Sequence, residues 1–157
     1  MADRNPDPGL PRYAAISIGD GWNGVVLSSS CPSDLRGNPI VAPTSDQWRK
    51  WLGILVEDQR RLPGVKAMKT SDTVEVLEAR LPTQDQLDKP MRVICKQTRL
   101  HGARDAIAGC LRPSAARRNF ERARSLQNAG IGTALPLAYL ECKSPRASWL
   151  ITEFLDG

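Results

Sequence analysis

Apolar positions along this chain fall into short runs separated by clusters of Gly, Pro, Asp and Ser. Residues 13–18 and 25–27 are β-prone and flank Gly19-Asp20-Gly21-Trp22-Asn23-Gly24, the pattern of a hairpin. Pro32, Gly37, Pro39 and Pro43 mark residues 31–45 as a connecting loop. The period then changes. Trp48, Trp51, Leu52 and Leu55 recur at helical spacing, which predicts a helix over 47–55 capped by Ser45 or Asp46, its stripe serving as core or docking surface. Pro63-Gly64 ends that segment. Residues 65–69 and 73–80 read as strands joined by the turn Thr70-Ser71-Asp72, with Val74 and Val76 on one face of the second strand and Thr73, Glu75 and Leu77 on the other. A loop over 81–90 leads to a strand over 91–97, in which Val93 and Cys95 point to one side and Ile94 and Lys96 to the other. Ser114 is placed to cap a helix running to Asn128, with Ala116, Phe120, Ala123 and Leu126 as its apolar stripe and Gly130 as its left-handed end. Two further strands, 137–141 and 149–154, make a hairpin across the turn 143–146.

Composition narrows the class without naming it. At 157 residues, 41% hydrophobic and 25% charged, the chain suits one ordinary globular domain. A formal charge of +5 permits phosphate or an anionic surface as a partner. The arginines lack the aromatic interleaving that stacks bases, so nucleic acid is not expected. Cys31, Cys95, Cys110 and Cys142 form no C-x-x-C pair, and the single histidine, His101, has no ligand-like neighbour; a zinc site is not expected. The polar amino end, residues 1–12, reads as a loose leader without the apolar core of a signal peptide, and no stretch has the length of a membrane span. The expectation is a cytoplasmic chain with its cysteines reduced, possible contact with the inner membrane being peripheral.

Four features carry candidate chemistry. Gly19, Gly21, Gly24 and Val26 match the phosphate-covering pattern G-x-G-x-x-G-x-V, but Lys96 lies 72 positions after Gly24, too far for a kinase-like glycine loop, and a glycine-rich hairpin turn is the plainer reading. Thr70 and Ser71, with Thr73, could donate backbone N–H and hydroxyl groups to phosphate oxygens; the alternative is a solvent-exposed hairpin turn in which Asp72 bonds its own backbone. Lys96 ends an apolar strand, as a snorkelling surface lysine or as a point charge on phosphate. Glu121 is the only acidic residue of the 114–128 helix and the only one there that could hold Lys96, but it lies about 160° from the apolar stripe. Local pairing with Arg117, Arg118 or Arg124 is the other possibility.

The run Arg112-Pro113-Ser114-Ala115-Ala116-Arg117-Arg118, then Leu126, residues 130–138 and residues 148–157, resembles the amino-terminal lobe of the lipopolysaccharide (Kdo) kinase family, bacterial relatives of protein kinases that phosphorylate sugars of the lipopolysaccharide core. The likeness extends from about Val65 to Gly157. It implies an α+β, protein-kinase-like small lobe, a twisted antiparallel sheet of about five strands with one packed helix. Residues 61–157 would form the lobe, and residues 1–60 an amino-terminal extension of hairpin and short helix. It implies ATP as the ligand, with Mg held elsewhere, Lys96 on the phosphates and Glu121 as its partner. The Thr70-Ser71 turn would cover the phosphates. Thr152 would line the back of the adenine pocket, and Glu153, Phe154 and Leu155 would form the linker whose backbone bonds adenine.

The chain contains no H-R-D-type aspartate and no D-F-G aspartate, so no catalytic residue is expected in it, and it reads as a fragment inactive alone. The functional expectation is an ATP-dependent sugar kinase of lipopolysaccharide synthesis, represented by its nucleotide-binding lobe. Its partners would be a nucleotide and a lipopolysaccharide-type sugar acceptor or an anionic membrane surface. The alternative is a non-catalytic, pseudokinase-like binding or regulatory module. A lobe of this kind alone exposes the apolar floor of its nucleotide cleft.

Overall fold

A computed structural model of the chain describes residues 10–19, 21–31, 39–83, 90–100, 112–143 and 146–155. Residues 1–9 of the leader, Asp20 of the first turn, parts of the two loops (32–38 and 84–89), the stretch 101–111 with His101 and Cys110, positions 144–145 of the last turn and residues 156–157 lie outside the described residues.

Alternation in the apolar runs becomes seven strands: β1 (Tyr13–Ile18), β2 (Trp22–Leu27), β3 (Lys66–Thr70), β4 (Val74–Leu81), β5 (Met91–Arg99), β6 (Pro136–Lys143) and β7 (Arg146–Glu153). They form one sheet in the order β1-β2-β6-β7-β5-β4-β3, every neighbouring pair antiparallel. The fold is therefore α+β, and the sheet is larger than the five or so strands expected from the sequence. The excess comes from the amino-terminal hairpin, which does not stand apart: β2 pairs along β6 from Trp22 opposite Cys142 to Val26 opposite Ala138.

Two glycines shape that hairpin and one admits it to the sheet. Gly19 and Gly21 adopt φ of 50° and 95° in the β1–β2 turn, conformations that favour glycine. Gly24 lies inside β2, where a Cβ would stand 1.9 Å from the Tyr139 carbonyl oxygen. The glycines that match a phosphate-loop pattern thus serve a turn and a close strand pairing.

Among the described residues the α-helices are α1 (Ser45–Asp58) and α2 (Ala115–Asn128). Thr44, rather than Ser45 or Asp46, caps α1: its hydroxyl accepts the Gln47 N–H at 3.1 Å, while the Gln47 side chain accepts the Thr44 N–H at 2.8 Å. This reciprocal capping box satisfies two donors at once, which neither of the other candidates does here. Ser114 caps α2 as expected, accepting the Arg117 N–H at 3.1 Å. Gly130, at φ 74°, ends it. The Ile131 N–H then reaches the Leu126 carbonyl and the Gly130 N–H the Gln127 carbonyl, the Schellman arrangement.

The helices cover opposite faces of the sheet. On one face Leu77, Ala79, Val93, Cys95, Leu140, Trp149 and Ile151 pack with the buried α1 residues Trp48, Trp51, Leu52 and Leu55 in a single apolar cluster, which also takes in Ile16, Ile18, Val26 and Leu27 of the hairpin. Both α1 indoles are used twice. Trp48 Nε1–H donates to the Leu27 carbonyl and Trp51 Nε1–H to the Arg80 carbonyl, each at 2.9 Å. Their rings meet edge-on at 6.4 Å. A single helix thereby ties β2 to β4, which have three strands between them.

On the other face α2 lies over β6 and β7. Its Ala116 N–H reaches Ser148 Oγ at 3.4 Å, and Phe120 packs edge-on against Tyr13 at 4.9 Å and Tyr139 at 5.1 Å. Tyr13 donates its hydroxyl to the Pro136 carbonyl at 2.7 Å. No helix among the described residues is long and apolar enough to cross a membrane.

Replacing Trp48, 1% exposed, with Ala removes an aromatic body and a buried hydrogen bond together. Urea denaturation should show Trp48→Ala less stable than the wild type by about 3–5 kcal/mol.

Candidate functional site

Strand register sorts the candidate residues by face. On β5 the buried positions are Val93, Cys95 and Gln97, facing α1; Arg92, Ile94, Lys96 and Thr98 face the α2 side. Two cross-strand rows follow. Val76, Lys96 and Leu150 lie abreast on β4, β5 and β7, and Glu78, Ile94 and Thr152 lie abreast in the next row. Because α2 lies mainly over β6 and β7, no helix among the described residues covers the β4–β5 part of this face. Lys96 is exposed there, while Val76, Ile94, Leu150 and Thr152 are half-buried. The result is a half-apolar strip with the exposed ammonium group of Lys96 at one end.

Several candidates are engaged elsewhere. Glu121 accepts the Arg117 Nε–H at 2.9 Å, four residues away on the same helix, and its side chain is 54% exposed. The bond also raises the Arg117 pKa. α2 therefore uses its one carboxylate locally and does not bring it to Lys96, as the position of Glu121 about 160° from the apolar stripe allows. Ser71 closes the β3–β4 turn: its N–H and its hydroxyl both donate to the Val74 carbonyl, at 2.8 and 3.0 Å, and its Oγ accepts the Val74 N–H at 3.1 Å. Ser71 thus closes the turn through its own bonds to Val74, as in the exposed hairpin turn that is the alternative to a phosphate role. Thr70 is exposed at the end of β3.

The end of β7 is tied down by a buried carboxylate. Glu153, 6% exposed, faces the α1 side, and its Oε1 accepts the Leu135 N–H at 2.7 Å while its own N–H donates to the Leu135 carbonyl at 3.0 Å. Phe154 donates its N–H to the Arg92 carbonyl at 3.1 Å, and Leu155 beyond it is 38% exposed. The N–H groups of Glu153 and Phe154 are therefore engaged within the sheet.

A feature not singled out from sequence lies beside these residues. The Arg92 guanidinium carbon stands 3.8 Å above the centroid of the Phe154 ring, and Arg92 Nε–H donates to Glu78 Oε1 at 2.7 Å. This bond holds the Glu78 carboxyl below the usual carboxylate range. Alternation from Lys96 places Arg92 on the same face; its stacking depends on a residue 62 positions away and carries no sequence signal.

Several of the other described titratable groups are held by burial. Burial pushes the Cys95 thiol strongly up and Cys31 to about 11, so these cysteines behave as small apolar side chains. Desolvation raises Tyr13 and Tyr139. Among the described residues no group of three or more His, Cys, Asp or Glu side chains could hold a metal. A cavity of about 210 Å³ between β1, β2 and the start of α1, lined by residues such as Ala14, Ser28 and Arg49, lies away from Lys96. It is below the usual size of a nucleotide-class pocket. No family model, curated protein or solved structure matches the chain.

The Glu78–Arg92 pair yields a pH dependence. Its carboxylate titrates lower in the folded state than in the unfolded one, so the pair's contribution is complete above the ordinary glutamate pKa and is lost as pH falls through the folded value. Glu78→Gln should lower the urea midpoint at pH 7, and the difference from wild type should shrink by pH 3.

Proposed function

We propose that the chain is the nucleotide-binding small lobe of an ATP-dependent phosphotransferase, a sugar kinase of lipopolysaccharide core synthesis in which Lys96 contacts the phosphates. The observation that carries the reading is the exposed ammonium of Lys96 in a strip with Val76, Ile94 and Thr152 on the face where α2 leaves the sheet open. A flat base fits against half-buried apolar side chains. A triphosphate needs an unpaired cation within one side-chain length of them, and Lys96 is in that position. The order β3-β4-β5-β7-β6, with α2 entering between β5 and β6 and a lysine on the middle strand, supports the small-lobe architecture.

In this reading Ile94 and Val76 form the roof over the base and Thr152 its back wall. Glu153 does not meet the ligand through its side chain; it holds the end of β7 against Leu135 so that the linker starts from a fixed point. Leu155 lies where the linker leaves the sheet. Mg supplies charge neutralisation on the phosphates when it is bound, and this chain contributes the lysine and the base-binding face. Phosphoryl transfer requires an aspartate that these 157 residues do not present in an H-R-D or D-F-G run, so the chain binds without transferring. The sugar acceptor, or an anionic membrane that carries it, would meet parts outside this strip.

A second reading, a non-catalytic binding or regulatory module, is favoured by the arrangement of Glu121 and Ser71. Both are engaged internally, Glu121 by Arg117 and Ser71 by Val74, which leaves Lys96 without a glutamate and the turn without its serine donors.

Calorimetry with ATP, in the presence and absence of Mg, separates the two. The wild-type chain should bind ATP, and Lys96→Met should bind at least about tenfold more weakly, the loss of one charge-assisted phosphate contact. Equal behaviour of the two proteins, or no binding by either, would remove the nucleotide reading in favour of the interaction module.

A further inference from the structure

Lys96, Ile94 and Arg92 occupy successive same-face positions on β5, about 7 Å apart. If Lys96 marks the phosphate end of the strip and Ile94 its base, Arg92 stands at the far end of the base. It is not a loose surface arginine. Its Nε–H bonds Glu78 on β4 at 2.7 Å, its guanidinium stacks at 3.8 Å on Phe154 just past β7, and its carbonyl accepts the Phe154 N–H at 3.1 Å. One residue of β5 thereby joins β4 to the segment leaving the sheet after β7. Glu78 is also the cross-strand neighbour of Ile94, so the ion pair borders the apolar row directly.

Resting on the nucleotide reading above, we propose that Arg92, set between Glu78 and Phe154, is a positioning residue that closes the base end of the strip and makes it select ligands that carry a flat aromatic base. A guanidinium stacked on a ring gives a rigid planar wall, because both groups lack freedom within their planes and the Glu78 bond fixes the rotation of the fork. With that wall in place, Phe154 and the linker behind it hold one position, and the base meets a closed end. With it removed, the phosphates still reach Lys96, but the base end is open and the linker has lost a tie.

The two ends can be tested separately on the full chain, using ATP and inorganic tripolyphosphate as probes in calorimetry. Arg92→Ala should weaken ATP binding about tenfold and leave tripolyphosphate binding unchanged. Arg92→Lys should recover part of the loss, since an ammonium keeps the cation–π attraction but lacks the fork. Should Arg92→Ala fail to fold, Glu78→Gln, which weakens the hold on the guanidinium and leaves Arg92 in place, should show the same ATP-selective loss. ATP binding equal to wild type in a folded variant, or an equal loss on both ligands, would overturn the role of Arg92 while the nucleotide reading stands. Failure of the wild-type chain to bind either probe would overturn both.

Discussion

The structure depends first on how α1 closes one face of the sheet. A seven-stranded sheet has two faces to cover, and the described chain supplies one helix to each. Trp48 and Trp51 let α1 do its part from β2 to β4, since one indole bonds β2 and the other β4 while their ring bodies fill the cluster between. Burying two tryptophans removes several hundred square ångströms of apolar surface from water, and the two N–H groups, which would be costly to bury unpaired, are both satisfied. The amino-terminal hairpin and α1 are therefore part of the same core as the later strands.

What α1 takes, the other face lacks. α2 is anchored by Phe120 between Tyr13 and Tyr139, toward the hairpin end of the sheet, and no helix among the described residues covers the β4–β5 end. Period-two alternation then decides which side chains appear there. Because Val93 and Cys95 belong to the α1 core, Ile94 and Lys96 must face the open side, and register brings Val76 and Thr152 beside them. The proposed ligand strip is thus a consequence of packing on the opposite face.

Local signals were the ones legible in the sequence. The stripe Trp48, Trp51, Leu52 and Leu55, the cap at Ser114, the stop at Gly130 and the alternation around Lys96 all act within a few residues and were readable. The size of the sheet was not, because β2 meets β6 across more than a hundred residues and the only trace is Gly24, whose missing side chain admits the Tyr139 carbonyl. Thr44 displaced Ser45 and Asp46 as the α1 cap through a reciprocal bond with Gln47, a choice among adjacent polar residues that composition leaves open. At the candidate site, faces were legible and partners were not. Nothing local says that Glu121 bonds Arg117, that Ser71 closes its own turn, or that Arg92 stacks on Phe154.

The central claim is that the open half of the α2 face is the ligand face. Backbone amide shift mapping of the isotopically labelled chain, titrated with ATP and Mg, tests it most directly. The account predicts that the largest shifts fall on Val76, Ile94, Lys96 and Thr152 and that Leu52 and Leu55 on α1 stay still. Shifts centred on α1 and the cavity beside it, or none at saturating nucleotide, would contradict it.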